Sequence, residues 1–202
     1  MRISCTGHSG FLVETTGCNY IFDFYTDKLG IIKPDLFSTK TIVFVSHRHG
    51  DHYNRNIFKW SGDELAYVLE TKCRVPRGYE SGKAITRMRE GDTADILGVR
   101  VEAFGSTDDG VSYLVSSGGI TVFHAGDLND WYWEDESTPE ELVRDEAAYL
   151  TIIRQLAGRA IDVAFIPEDP RLGRNAHRGI QHFQAIVAPK RIIPMHFPVT
   201  RG

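Results

Sequence analysis

Short runs of apolar residues, interrupted by polar ones, recur along most of this chain, and turn residues separate the runs. Short apolar runs of this kind, bounded by turn residues, are typical of β-strands. The pattern predicts strands over residues 2–6, 10–15, 20–24, 41–45, 65–70, 83–88, 99–104, 111–115, 120–124, 161–166 and 191–194. Turns are expected at residues 17–19 and at the Ser-Gly-Gly of residues 117–119, which favours a hairpin. We therefore expect a chain with two β-rich halves.

Two segments late in the chain have helical spacing instead. Thr138 begins a capping-box pattern that ends at Glu141, with a proline directly after the cap. Apolar residues then recur at helical spacing up to Gly158, which suits a helix C-cap. A second helix is expected over residues 177–188. Helices late in each half would suit two facing sheets covered by helices, in a single domain of residues 1–202.

Composition narrows the classes of function. The 202 residues are 42% hydrophobic, which suffices for one compact domain with a substantial core. With 23 basic and 27 acidic residues and no run of Lys and Arg, the chain lacks the charge pattern of a nucleic-acid-binding protein. No apolar stretch approaches the ~20 residues of a transmembrane helix, and the N-terminus has no signal-peptide pattern. The three cysteines form no C-x-x-C pair, so we expect no disulfide framework and a cytoplasmic location.

Candidate chemistry is concentrated in residues 47–52, which read HRHGDH and directly follow the predicted strand 41–45. Alternation would point His47 and His49 to one side, and Gly50 permits a turn that brings Asp51 and His52 to the same cavity. Four ligands from so short a loop would crowd one tetrahedral ion. They suit two ions about 3.5–4 Å apart that share bridging groups. A polar loop with solvated histidines is the alternative interpretation.

The loop resembles the H-x-H-x-D-H signature of the metallo-β-lactamase superfamily. Three further segments are similar to elements of that family and come in the same order: GHSGFLVET at residues 7–15 with Phe22-Asp23 after it, HAGD at 124–127, and IIPMH at 192–196. The resemblance implies an α+β fold, the four-layer αββα sandwich, with metals bound at one edge between the sheets. It is nearest to the compact branch that includes ascorbate-phosphate lactonase-like proteins.

The resemblance also implies a ligand set and a mechanism. The implied metal ligands are His47, His49, Asp51, His52, Asp127 and His196. Asp51 would also be catalytic, because it would orient the attacking hydroxide and pass its proton on. Asp23 would hydrogen-bond a ligand imidazole from behind. The expected cofactor is one or two divalent metal ions, with zinc favoured and manganese or iron as alternatives.

One segment departs from the family pattern. The superfamily usually supplies a third histidine for the first metal just before a G-x-x-Y strand, and Gly105 stands at that position here. The first site would keep two histidines and a bridging Asp127, whereas the second site keeps a complete set. The candidates that would complete the first site are Asp108, His8 and His124. His8 would alternatively be a proton donor. Strand alternation points His124 away from Asp127, which favours a buried structural role for His124.

The implied activity is metal-assisted hydrolysis of a small molecule that carries an ester, lactone, amide, thioester or phosphoester bond. Two alternatives stay open, a metal-bound redox protein and a degenerate metal-binding sensor without hydrolase activity. The aromatic run of residues 131–133 could wall a substrate pocket, and Arg171 or Arg174 could pair with an anionic substrate. No nucleic-acid or membrane partner is expected, and no feature of the sequence specifies an oligomeric state.

Overall fold

The structure is a computed structural model, and it describes residues 1–197. Within these residues the chain forms twelve β-strands and two α-helices. The strands are β1 Arg2–Gly7, β2 Gly10–Glu14, β3 Asn19–Phe22, β4 Thr41–Val45, β5 Leu65–Glu70, β6 Ala84–Met88, β7 Thr93–Ile96, β8 Val99–Phe104, β9 Ser112–Ser117, β10 Ile120–His124, β11 Val163–Pro167 and β12 Ile192–Met195. The helices are α1 Pro139–Arg154 and α2 Arg178–Ile186.

The strands form two six-stranded sheets, with orders β1-β2-β3-β4-β5-β6 and β12-β11-β10-β9-β8-β7. Neighbouring strands run parallel from β3 to β6 in the first sheet, and from β10 through β11 to β12 in the second. The carboxyl ends of parallel strands meet at one edge of a sheet, where ligand sites commonly lie. The segments that directly follow β3, β4, β10, β11 and β12 contain the residues of the candidate site described below.

Strand alternation separates two hydrophobic layers. In β4, Ile42 and Phe44 belong to the core between the sheets, whereas Val43 and Val45 belong to a second cluster on the outer face of the first sheet. All five residues of β4 are buried, because both faces are covered. The core that contains Phe44 also includes Tyr149 of α1 and Phe183 of α2, which pack on the second sheet.

The architecture is the αββα sandwich that the sequence predicted, but the helical layer on the first sheet is smaller than expected. The expectation of helices late in each half was wrong for the first half, since no α-helix is found within residues 1–138. The outer face of the first sheet is covered instead by two short 3₁₀ helices, Pro34–Ser38 and Arg55–Lys59, and by loops. Phe37, Ile57 and Phe58 of these turns are buried in the outer cluster. Turns this short have no helical periodicity that a sequence pattern could reveal.

Local signals predicted the start of α1 better than its end. Thr138 caps the helix and exchanges the expected capping-box hydrogen bonds with Glu141. The helix ends at Arg154, earlier than predicted, and Gly158 lies in a following turn with φ 78°. Strand β7 was not predicted, because its four residues, TADI, are too few to show alternation. In residues 1–197, no helix combines the length and the apolarity needed to cross a membrane.

Candidate metal centre

Hydrogen bonds with neighbouring segments fix the histidine-rich loop where it leaves the end of β4. Asp23, which follows β3, accepts hydrogen bonds from the backbone N–H of Ser46 at 2.7 Å and from its hydroxyl at 2.6 Å. The carbonyl of Ser46 accepts from the N–H of Val111 at 3.1 Å. The loop then turns, since the carbonyl of His49 accepts from the N–H groups of His52 and Tyr53. These bonds fix the direction in which the loop presents its side chains.

Asp127 lies at the centre of the cluster that results. Its Oδ2 is 3.2 Å from Nε2 of His47, and its Oδ1 is 3.1 Å from Nε2 of His52 and 3.3 Å from Nε2 of His196. The three histidines and Asp127 are all buried. His49 is exposed, yet it offers a donor atom within 4.8 Å of those of His47 and Asp127. The structure thus brings together residues that are 149 positions apart in the sequence, from 47 to 196.

Each of the three buried imidazoles is held through its Nδ1 atom. Nδ1 of His52 lies 2.8 Å from Asp23, and Nδ1 of His196 lies 3.0 Å from Asp169. A carboxylate only accepts hydrogen bonds, so both Nδ1 atoms donate. The Ser46 hydroxyl uses its hydrogen on Asp23 and lies 2.9 Å from Nδ1 of His47, which therefore donates to it. All three rings consequently turn Nε2 towards Asp127, and without a proton that atom has the lone pair that a metal ligand needs.

These donors fit a divalent transition metal. Nε2 of His47, Nε2 of His52 and Oδ1 of Asp127 are buried and have no hydrogen-bond partner among residues 1–197. Buried polar atoms without a partner are costly, and lone pairs that face one another at about 3 Å repel unless a cation lies between them. Imidazole nitrogen and carboxylate oxygen are the ligand types that zinc, iron and manganese accept. The orphaned donors are thus explained by a metal ion.

The carboxylates keep their charge in this buried setting. Burial on its own would raise the pKa of Asp127, but contacts with His196, His47 and His52 outweigh it and hold that pKa well below its usual range. The pKa of Asp23 is also lowered, because the hydrogen bond from His52 and the neighbouring imidazoles outweigh burial. Burial would lower the pKa of His52, yet Asp127 and Asp23 raise it to about 10. The space between these groups therefore holds a proton strongly or, in its place, a metal ion.

The remaining predicted residues have different surroundings. The Asp51 side chain is 52% exposed, and its Oδ2 lies 3.5 Å from Nε2 of His8. Asp108 is exposed at the mouth of the site, which it lines together with His49 and Asp51. Nε2 of His124 lies 2.9 Å from the carbonyl oxygen of Ser9, and its Nδ1 accepts from the N–H of Gly126 at 3.2 Å. With both nitrogens engaged, His124 has no lone pair for an ion.

Asp169 also contacts the cluster directly, although no motif in the sequence marked it as a site residue. Asp169 was not among the predicted site residues, yet it is buried and binds both His196 and the guanidinium of Arg171. The hydrogen bonds from Arg171 outweigh burial and lower the pKa of the Asp169 carboxyl. A signal was available, because Asp169 follows the end of a buried strand at the edge where Asp23 and His47 also lie. Its partner His196, however, is 27 residues away and could not be inferred.

A cavity of about 440 Å³ opens over the cluster. Trp131 and Trp133 form part of its wall, with parallel rings 6.1 Å apart, and the indole N–H of Trp131 donates to the carbonyl of Asp127 at 3.0 Å. The Arg171 guanidinium lies 5.5 Å from the centre of the Trp133 ring. Cavities of this size commonly hold small molecules. The pocket therefore joins the candidate metal centre to an aromatic wall and one guanidinium.

A family model described as the β-lactamase superfamily domain matches residues 2–140 of this chain. The chain belongs to the metallo-β-lactamase superfamily. A relative from Nitratidesulfovibrio vulgaris, a UPF0173 metal-dependent hydrolase, is 31% identical over an alignment that covers 98% of this chain and 82% of the relative. The superfamily that the sequence motifs indicated is thus confirmed. The nearer similarity to the ascorbate-phosphate lactonase-like branch stays a prediction, because this relative does not carry that name.

Solved structures agree with the superfamily fold. Igni18, a metallo hydrolase from Ignicoccus hospitalis, has a TM-score of 0.67 at 17% identity, and the match covers 98% of this chain and 83% of that one. CmlA, a diiron β-hydroxylase from Streptomyces venezuelae, has a TM-score of 0.64 at 13% identity, covering 96% of this chain and 44% of CmlA. At such identities the similarity shows the fold alone. The αββα sandwich is shared by proteins whose names describe different chemistry.

Proposed function

We propose that this metallo-β-lactamase superfamily protein is a metal-dependent hydrolase that acts on a small molecule with an ester, lactone, thioester or phosphoester bond. The observation that carries the proposal is the convergence of anchored, unpartnered imidazoles on Asp127. A bound divalent ion would lower the pKa of a water from 15.7 towards ~7 and stabilise the oxyanion that develops on the substrate. The relative from Nitratidesulfovibrio vulgaris, which is named a metal-dependent hydrolase, supports the same class.

The proposed ligands are His47, His49, Asp51, His52, Asp127 and His196. The absence of a thiolate among these donors favours zinc over softer metals, and the carboxylates keep manganese and iron as alternatives. Asp23, Ser46 and Asp169 hold ligand imidazoles in the tautomer that leaves Nε2 free. Gly105 at the position of the usual third histidine supports one strong site and a weaker one.

Asp51 is the proposed proton acceptor. Its half-exposed carboxylate lines the open cavity, where water and substrate both have access. A carboxylate in that position accepts a proton from the attacking water and passes it towards solvent. The Trp131 and Trp133 rings would contact an apolar part of the substrate, and Arg171 would pair with an anionic part. The cavity volume supports a small molecule rather than a polymer as substrate.

A cytoplasmic location is part of the proposal. Cys5, Cys18 and Cys73 are free cysteines, which supports a reducing compartment. Burial raises the pKa of the Cys18 thiol to about 12, so this cysteine is protonated and unreactive at neutral pH.

A redox protein is the second candidate, favoured by one observation. The diiron β-hydroxylase CmlA has the same fold, and imidazole and carboxylate donors also suit iron.

Elemental analysis of protein purified without chelator, followed by a screen of the metal-loaded protein against esters, lactones, thioesters and phosphodiesters, tests both candidates. We expect zinc or manganese with hydrolysis of one bond class. Iron with a visible absorption band and no hydrolysis would favour the redox protein, and an inert zinc protein would favour a sensor. Protein that neither contains nor takes up metal would contradict the proposal.

A further inference from the structure

His8 is held in an unusual backbone conformation beside the metal centre. It lies in the two-residue turn between β1 and β2, where Gly7 pairs with Gly10, and its φ is 52°. Positive φ is uncommon outside glycine, and a two-residue hairpin turn requires it at its first loop residue, where a histidine is an unusual choice. Asp23 and His196 also have positive φ, at 42° and 71°. Three of the five non-glycine residues with positive φ within residues 1–197 therefore lie at this centre.

Three long-range hydrogen bonds enforce the conformation of this turn. The carbonyl oxygen of His8 accepts from the N–H of His196 at 3.3 Å, and its ring Nδ1 lies 3.0 Å from the carbonyl oxygen of Phe197. The carbonyl of the next residue, Ser9, bonds to the ring of His124 at 2.9 Å. The turn is thus attached to the segment that carries His196 and to the end of β10. It holds the imidazole of His8 in one position over the cluster.

The hydrogen bond to Phe197 fixes the tautomer of His8. A carbonyl oxygen only accepts, so Nδ1 carries the hydrogen and Nε2 carries the lone pair. Nε2 is buried and has no hydrogen-bond partner among residues 1–197. A buried nitrogen without a partner costs free energy that the fold would avoid by rotating or exposing the ring. His52 has the same arrangement, and His196 shares the anchored Nδ1, since the Nδ1 atoms of both rings bond to carboxylates.

His8, His52 and His196 also converge in space. The centre of the His8 ring is 4.3 Å from that of His196 and 5.2 Å from that of His52. The three residues offer donor atoms that all lie within 4.8 Å of one another. Three imidazole nitrogens around one open position are the ligand set of a catalytic zinc site.

We propose that His8 is a direct metal ligand, and that His8, His52 and His196 form the main metal site of this protein, with Asp127 beside it. The proposal rests on the metal centre of the proposed function and goes beyond it in adding His8 to the ligands. It also offsets the missing histidine at position 105, because His8 adds a donor on the other side of Asp127. The donors are depleted on the His47 and His49 side of Asp127 and enriched on the His196 side. Metal occupancy should follow that distribution.

The test removes the imidazole and keeps the turn. Asparagine tolerates positive φ, so His8→Asn removes the lone pair without adding backbone strain. His177→Asn is the matched control, because the His177 side chain is 65% exposed and pairs only with Glu168 among residues 1–197. Both variants are titrated with zinc in competition with a chromogenic chelator. The cobalt-loaded proteins are compared by their visible d–d absorption.

We expect His8→Asn to weaken the tighter metal-binding step by roughly 100-fold, since loss of a partner that merely orients a ligand already costs about 10–100-fold. The cobalt spectrum should change in His8→Asn and stay unchanged in His177→Asn. A second variant, His8→Gly, allows chemical rescue, and added imidazole should restore part of the lost affinity. Thermal unfolding of the metal-free variants in chelator checks that each is folded.

Two results would overturn the assignment, and they have different consequences. Unchanged zinc affinity and an unchanged cobalt spectrum in His8→Asn would show that His8 does not bind the ion. A loss of hydrolysis in that variant with metal binding intact would lead to the same conclusion and make His8 a contact of the substrate or of Asp51. In either case the unmodified protein still binds metal and the proposed function stands. An unmodified protein that binds no metal would instead refute the metal centre and the role of His8 together.

Discussion

The carboxylate of Asp23 lies 2.8 Å from Nδ1 of His52 and sets the direction in which that imidazole points. The same oxygen accepts the hydroxyl hydrogen of Ser46, whose Oγ in turn accepts from His47. One buried carboxylate at the end of β3 therefore orients two candidate ligands that follow β4. Such partners behind the ligands determine tautomer and basicity.

Replacing Asp23 should weaken metal binding without removing a ligand. In Asp23→Asn the amide cannot accept from Ser46 and His52 as the charged carboxylate does, so the two imidazoles lose their fixed tautomer. We expect a loss of metal affinity of about 10–100-fold, measured by competition titration with a chelator. Asp63→Asn, at an exposed position, is the control. Equal affinities in the two variants would show that Asp23 has only a structural role.

Asp51 should be essential for turnover but not for folding. Its side chain is half exposed, so Asp51→Ala leaves the core intact while it removes the proposed proton acceptor. We expect hydrolysis to be abolished, with an unchanged circular dichroism spectrum. His177→Ala should change activity little, because His177 lies outside the cluster and the cavity. Comparable losses of activity in the two folded variants would contradict the role of Asp51.

The parts of the site that the sequence predicted are those with local signatures. Residues 47–52 are adjacent in the chain, and the segments at Asp127 and His196 each follow a recognisable strand. The start of α1 was predictable for the same reason, since the contacts between Thr138 and Glu141 span three residues. Short-range patterns carry this information because the atoms that interact belong to neighbouring residues.

The partners that the sequence did not reveal are brought together only by the fold. Asp169 reaches His196 across 27 residues, and Phe197 reaches His8 across 189. The sequence indicated a candidate role for His8, but not which of the two metal sites it would join. That depends on how the β1–β2 turn packs against the segment after β12. The reduced helical layer of the first half escaped prediction because its 3₁₀ turns are too short for periodicity.

Gly110 should be indispensable for the geometry of the histidine-rich loop. Its φ is 84°, and an added Cβ would lie 2.2 Å from the carbonyl oxygen of Ser46 and 2.4 Å from Cβ of His47. Gly110→Ala should lower the free energy of unfolding by about 3 kcal/mol or more, measured by urea denaturation. Gly118→Ala is the control, since Gly118 also has positive φ but open space around it. It should cost about 1–2 kcal/mol from backbone conformation alone. Equal effects of the two substitutions would rule out the steric role of Gly110.

The last prediction concerns Gly105, which stands where the superfamily pattern is expected to supply a third histidine for the first metal. With only His47, His49 and Asp127 as donors, that site should bind more weakly than the site that contains His52 and His196, so metal titration should show two unequal steps or a single one.

Gly105→His should strengthen the weak step. The backbone permits the substitution, because Gly105 is not among the residues with positive φ. A new Cβ would lie 2.9 Å from Oε1 of Glu90, which is the end of an exposed and flexible side chain that can move away. Gly105→Ala adds the same Cβ without the imidazole and should leave the weak step unchanged, and thermal unfolding of both variants separates ligand gain from strain. Two equally tight sites in the unmodified protein would show that another residue, such as Asp108, already completes the first site.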